Sequence, residues 1–296
     1  MLNAGDYVAR ATADGGKVRV LAARSTRLVA EAQRRHGALP TAAAALGRVL
    51  TGAALMGALL KEDNHTVTVR IRGTGPLGAI IADSDGRGHV RGYVQNPQVN
   101  LPLNSQGKLD VSGAVGLPGE INVVWDLHLR QPYSGTAPLA TGEIGEDFTA
   151  YFWRSEQTPS LVALGVLVGP GGQVMAAGGV LAQLLPGSSA HWAETLTENA
   201  RQLAGISRLI AGGAAPEDLI ERTLAGFEGV PGHRLPLVFQ CRCSRERCRR
   251  LLASLGADEL RDMLATDGQA EMECHFCRQK YLFDAEELGQ LLALQS

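Results

Sequence analysis

All five cysteines of this chain lie after residue 240: Cys241, Cys243, Cys248, Cys274 and Cys277. No other feature constrains the fold as strongly, because the preceding four-fifths of the 296-residue chain must fold without any sulfur cross-link. That stretch is long enough to bury a core of its own. Four of the cysteines form two clips, Cys241-Arg-Cys243 and Cys274-His-Phe-Cys277, separated by residues 244–273. Zinc takes four soft ligands at tetrahedral corners, and two short clips brought together by folding supply them. The C-x-C half is tighter than the usual spacing of two to four. Cys241, Cys243, Cys274 and Cys277 are therefore the candidate metal ligands and zinc the candidate metal. His233 and His275 are conceivable surrogates, but four thiolates already complete the shell.

The clips also carry a redox meaning. Arg242, Arg245, Arg247, Arg249 and Arg250 crowd the first clip, with Glu246 alone opposing them. Metals and cations keep thiols deprotonated, and the thiolate is what an oxidant attacks. A sulfenic acid on one cysteine can be resolved by a close neighbour to a disulfide. A small module that folds around its metal would then lose its fold. A permanent structural zinc knuckle is the commoner reading of such spacing, and both readings stay open here. Cys248 falls in a predicted helix over 244–255 with Leu251, Leu252 and Leu255, where a buried thiol behaves as a small hydrophobe.

Hydrophobic residues make up 45% and charged residues 20%, with a net charge of −2. This composition suits a soluble chain of about two domains and argues against a polyanion binder as a whole, though not against a local basic patch. The opening residues, with Asn3, Asp6, Arg10 and Asp14, offer no apolar signal region, so the expected location is cytoplasmic. Between Glu156 and Glu194 there is no Asp, Glu, Lys or Arg. Gly169-Pro-Gly-Gly172 breaks that stretch, and the run before it is far shorter than the ~20 residues of a membrane span. A hairpin with strands 161–168 and 173–183 is expected instead.

Alternation and turn residues organise the rest. Residues 3–24 read as extended around Asp14-Gly-Gly16, and Ser25 or Thr26 is placed to cap a helix through His36. Pro40 opens an Ala-rich helix to about Lys61. Strands follow near 67–71, 79–83, 89–94 and 123–129, and Gly73-Thr-Gly-Pro-Leu-Gly78 reads as a turn, since Pro76 removes an N–H donor and no Lys-Ser/Thr follows. Pro186 to Ser189 marks a boundary. Trp192, Leu196, Leu203, Ile206 and Ile210 then recur at helical spacing, a short helix starts at Pro216, and Gly226–Gly232 reads as a linker. The apolar face of these helices is either packed core or a surface covered in one state and exposed in another. Asp284 and Glu287 form a capping-box start to a last helix. No catalytic constellation emerges: there is no H-E-x-x-H, Ser155-Glu156 lacks a positioned partner, and Glu143 and Asp147 read as surface carboxylates. The chain is not expected to be an enzyme.

Several stretches together resemble one family. Beside Cys241-x-Cys243-Ser244 and Cys274-x-x-Cys277 stand Ala45-Leu-Gly-Arg48, Gly73-Thr-Gly-Pro76, Val90-Arg-Gly-Tyr93 and Pro132-Tyr-Ser-Gly135. Gly142-Glu-Ile144, Tyr151-Phe152, Ser155-Glu-Gln157, Leu164-Gly-Val166, Ala177-Gly-Gly179, Gln183 and Pro186-Gly187 complete a pattern that runs nearly end to end. The chain thus resembles the bacterial 33-kDa redox-regulated heat-shock chaperones. The resemblance implies an α+β protein with an N-terminal α/β core domain built on β-sheet with helices (1–187), a helical linker (188–231) and a small C-terminal zinc-binding redox-switch domain (232–296). It implies an ATP-independent holdase, inactive while Cys241, Cys243, Cys274 and Cys277 hold zinc. On oxidation the disulfides Cys241–Cys243 and Cys274–Cys277 form, zinc leaves, and the linker is destabilised to expose apolar surface for unfolding client proteins. It further implies a homodimer when oxidised and handover of clients to an ATP-driven foldase. Cys248 is a departure from that pattern and is not carried over as a ligand. Two readings compete: a zinc-ribbon nucleic-acid binder using the Arg-rich 242–250 segment, and a thiol oxidoreductase using Cys274 and Cys277. The four-thiolate spacing and the acidic residues of the same module count against both, and no membrane partner is expected.

Overall fold

The computed structural model describes residues 5–294; residues 3 and 4 of the first expected extended segment lie outside it. The chain divides between Gln240 and Cys241 into two compact units. In the first unit β1 (Tyr7–Ala13), β2 (Val18–Arg24), α1 (Thr26–His36) and α2 (Pro40–Gly57) are followed by β3 (Thr66–Arg72), β4 (Ala79–Asp85) and β5 (His89–Val94). Next come α3 (Val111–Val115), β6 (Glu120–Asp126), β7 (Tyr133–Pro138), α4 (Gly145–Arg154), β8 (Ser160–Val168) and β9 (Val174–Leu184). The unit closes with α5 (Ala190–Ala200), α6 (Ile206–Ala211), α7 (Pro216–Thr223), β10 (Gly229–Pro231), β11 (Leu235–Pro236) and β12 (Val238–Phe239). The second unit contains α8 (Arg245–Ala253), α9 (Ala257–Thr266), β13 (Gln269–Glu273), β14 (Lys280–Asp284) and α10 (Ala285–Ala293). The class is α+β, as expected.

One sheet has the order β10-β1-β2-β9-β8, with β11 also on the β1 edge, and the other the order β12-β5-β4-β3-β6-β7. Helix α2 packs against both. Every residue from Thr41 to Gly57 except Arg48 is buried, which is why its sequence is apolar on all sides. A Cβ at Gly52 would run into the Phe148 ring, so the close approach of α4 requires glycine there. The helix ends at Gly57 instead of Lys61, because Leu59 and Leu60 close tighter turns onto Met56 and Gly57. The uncharged stretch forms the expected hairpin, closed by Gly169 N–H on Gln173 O at 2.8 Å. No helix among the described residues is long and apolar enough to cross a membrane.

Other local expectations meet longer-range partners. Ser25 is the N-cap residue of α1 but makes no capping bond; its hydroxyl pairs with that of Thr51 at 2.7 Å. Leu28 N–H donates instead to Asp6 Oδ2 at 2.7 Å, from the segment before β1. Strand β6 stops at Asp126, so Leu127 and Leu129 fall beyond it and Leu129 is exposed. Asp147 is not on the surface. It is fully buried, and its carboxylate accepts N–H bonds from Ala140, Thr141, Gly142 and Ile144 at 2.8–3.2 Å. Glu143 pairs with Arg48 at 2.6 Å, and Glu156 accepts the Tyr151 hydroxyl at 2.5 Å and the Trp125 indole N–H at 3.3 Å. The Gly73–Gly78 segment is the turn between β3 and β4, with Gly75 N–H on Val115 O at 2.8 Å.

The two faces of the first sheet are covered differently. One packs on α1 and α2 and belongs to the main core. The other, with Ala9, Ala11, Val18 and Val20, is covered by Leu196, Leu203, Ile206, Ile210, Leu219 and Ile220 from the 190–226 helices. These helices are short and are tied down at few polar points. Tyr7 O–H donates to Glu217 Oε2 at 2.7 Å, and Arg234 donates to Glu217 Oε1 at 2.7 Å. The expected linker at 226–232 includes β10, paired along β1. The chain continues through β11 on β1 and β12 beside β5, and the next residues are Gln240 and Cys241.

Candidate metal centre

In the second unit the first clip precedes α8, where Ser244 caps the helix by accepting Arg247 N–H at 3.1 Å. The second clip is the turn between β13 and β14. Arg278 N–H donates to Cys274 O at 2.8 Å, Cys274 N–H donates to Gln279 O at 3.0 Å, and Arg278 takes φ +60° to close the knuckle. Each half is thus a local structure that the spacing alone dictates. What joins them is a small core of Cys248, Leu252, Leu260, Ala270, Phe283, Leu288 and Leu291. Arg245 adds a two-pronged bond to Glu287 at 2.6 and 2.8 Å and lies over the Phe283 ring, 4.6 Å from its centre. Glu287 also completes the expected capping box with Asp284 at the start of α10.

The structure brings the four clip cysteines together, with every ligand sulfur within 4.8 Å of the others. Cys241 Sγ lies 3.6 Å from Cys274 Sγ, and Cys243 Sγ 3.3 Å from Cys277 Sγ. Four sulfurs at ~2.3 Å from a tetrahedral zinc would stand about 3.8 Å apart, so the donor set fits that ion. No disulfide joins any of the five cysteines. Neither His233 nor His275 belongs to the cluster. Cys248 is 8% exposed and sits in the small core, as expected of a buried thiol.

The electrostatics explain why such a cluster calls for a cation. Burial pushes the Cys274 thiol up despite the Phe276 and Cys277 N–H groups directed at it, and Cys241 pushes it further. Burial likewise raises Cys277, reinforced by Cys243, Cys241 and Cys274. The Tyr281 hydroxyl donates to Cys243 Sγ at 3.3 Å and is itself raised by that contact. Four sulfurs this close cannot all ionise without a compensating positive charge, and a divalent ion supplies it. The four cysteines can hold a metal ion. Sequence reasoning expected these four cysteines as one group, and the structure brings them together; it missed Tyr281, four residues after Cys277, because no strand was expected there to aim its hydroxyl at the cluster.

Comparison with known proteins places this geometry. A family model described as Hsp33 protein matches residues 6–284. The 33 kDa chaperonin of Geobacillus kaustophilus is 50% identical over 291 residues, covering 98% of each chain. That of Bacillus subtilis is 48% identical over 286 residues, covering 97% of this chain and 98% of its own. The crystal structure of the Thermotoga maritima 33 kDa chaperonin superposes with a TM-score of 0.92 at 38% identity, covering 99% of both chains. Matched over its sheets, every helix before α10 and all four of its clip cysteines by sequence model and over nearly its whole length by structure, this chain belongs to the Hsp33 protein family.

Proposed function

We propose that this protein is a redox-regulated, ATP-independent holdase that captures unfolding proteins after oxidation of its cysteine centre. The observation that carries the reading is the convergence of four cysteine sulfurs in a unit whose own apolar core is small. In the reduced state Cys241, Cys243, Cys274 and Cys277 hold zinc, which keeps them as thiolates and staples the two clips. A core of seven buried residues leaves the fold of this unit dependent on that staple. Peroxide converts one thiolate to a sulfenic acid, and a neighbouring thiol displaces water to form a disulfide. We assign the pairs Cys241–Cys243 and Cys274–Cys277. The shortest sulfur contacts run between clips, but these depend on the folded unit, whereas partners within a clip stay close in sequence after unfolding.

The proposed division of labour is a core domain over 1–187, a linker over 188–231 and a redox-switch domain over 232–296. In this reading the helices of 188–231 leave the first sheet once the switch domain unfolds. The apolar residues on both sides, Leu203, Ile206, Leu219 and Ile220 against Val18 and Val20, then become available to clients. We place the protein in the cytoplasm, as a homodimer when oxidised that passes its clients to an ATP-driven foldase.

The test is light scattering from a thermally unfolding client. The reduced, zinc-loaded protein is expected to leave aggregation unchanged, and the peroxide-treated, zinc-depleted protein to suppress it at near-stoichiometric amounts. Equal suppression by both forms would remove the redox control, and none by either would remove the holdase reading.

A further inference from the structure

On the face of the first sheet that packs on α1 and α2, Leu21, Leu181 and Val162 stand in register as apolar core. Two residues along, the same face carries a polar row. Thr12, Arg19, Gln183 and Ser160 are successive register partners across β1, β2, β9 and β8. Arg10, opposite Leu21, stands diagonal to Arg19 on this face, a spacing within reach of long side chains.

Gln183 is only 2% exposed, and both ends of its amide are engaged. Its Oε1 accepts Arg19 Nη2 at 2.6 Å, and its Nε2 donates to Ser160 Oγ at 3.1 Å. The Ser160 hydroxyl in turn donates to Thr158 O at 3.0 Å. Arg19 is thus held from one side by a buried relay. Two other donors have no such provision. The Nε–H groups of Arg10 and Arg19 are both shielded from water with no acceptor among the described residues. Burial lowers the pKa of both, and Arg10 lowers that of Arg19 further. Two half-buried like charges side by side cost free energy unless a counter-charge joins them. A planar guanidinium fork with donors to spare is the group that best matches a tetrahedral oxyanion.

We propose that Arg10 and Arg19, the second oriented by Gln183, form a binding site for one phosphate-class oxyanion, taken as the free ion or as a phosphomonoester. Thr12 is exposed directly opposite Arg19 and offers a hydroxyl at the open side of the site. Bound there, the anion neutralises both guanidiniums and joins β1 to β2. Those two strands carry Ala9, Ala11, Val18 and Val20 on their other face, under the 190–226 helices. Occupancy therefore stabilises the platform on which those helices rest.

The experiment uses the reduced, zinc-loaded full chain. Its thermal unfolding is followed while inorganic phosphate, or separately glycerol phosphate, replaces chloride at constant ionic strength. A saturable rise in Tm of about 2–4 °C is expected. A rise with inorganic phosphate alone assigns the free ion, and a rise with both admits the ester. Arg10→Gln and Arg19→Gln are expected to abolish the rise. Arg10→Lys keeps the charge without the fork, covers the case in which Arg10→Gln does not fold, and is expected to weaken binding about tenfold by calorimetry. No saturable rise with either compound, a rise that persists in Arg10→Gln, or a Kd unchanged in Arg10→Lys would overturn the site. The readout is anion-dependent stability of the reduced protein, so its failure leaves the holdase reading standing.

Discussion

The first unit buries helix α2 between two six-stranded sheets, with a core running from Val8 to Leu237, whereas the unit after Gln240 gathers seven buried residues around four sulfurs. In the first, stability is spread over many apolar contacts, and no single chemical event removes it. In the second, much of it passes through one cluster of oxidisable atoms. On the proposed reading, a protein built this way loses one unit to an oxidant and keeps the other. Between these extremes lie the 190–226 helices, apolar on one side but short, and resting on a sheet that already has a core on its other face.

Removing the metal is the sharpest way to break this comparison. Chelation of the reduced protein is expected to abolish the dispersed amide NMR signals of residues 241–294 while the first unit still unfolds cooperatively. The loss is on the order of 10 kcal/mol of metal-binding free energy; a tail that stays folded without metal would end the contrast. Next in size is Asp147→Ala, which removes the acceptor of four N–H groups, those of buried Gly142 and Ile144 among them, and is expected to destabilise the first unit by about 3–5 kcal/mol in denaturant unfolding. Zinc retention should be unaffected, and coupled zinc loss would show that the two units are not independent.

Leu219→Ala tests the intermediate region. It removes a fully buried side chain of α7 at a cost of about 2–4 kcal/mol, and should let the reduced protein suppress aggregation in part. If the reduced variant stays inactive, the covered face is not what clients require. The smallest effect is expected at Glu217. Burial pushes its carboxyl up, but the Tyr7 hydroxyl and Arg234 outweigh this and leave its pKa below the ordinary value. Its contribution is therefore present above the carboxylate range and lost as pH falls through the folded pKa. Glu217→Gln should weaken the tie of α7 by about 0.5 kcal/mol and flatten the acid dependence of amide exchange in residues 216–223. An unchanged acid dependence would assign it to other carboxylates.

Much of the cysteine cluster and many strands were legible because their information is local. A C-x-C or C-x-x-C clip, the Gly169–Gly172 turn and the Asp284–Glu287 capping box each work through neighbours a few residues apart, and the structure has them where the spacing predicts. Ser25 shows the opposite case. Its position is right for a cap, but a buried hydroxyl from Thr51 competes for it and Asp6 supplies the capping oxygen from nineteen positions away in the chain. Asp147 was read as exposed because charge usually marks the surface; a loop that folds back with its N–H groups turned inward reverses that rule.

By itself, then, the amino-acid sequence determined the two cysteine clips, the hairpins and the apolar faces, since covalent spacing and periodicity act before any tertiary contact forms. The tertiary structure alone decided which carboxylates are buried, which side of the first sheet is covered only by short helices, and that Arg10 and Arg19 share a face with buried Nε–H groups that find no acceptor among the described residues. Those outcomes depend on partners far apart in the chain, and burial and electrostatic balance are properties of the assembled fold.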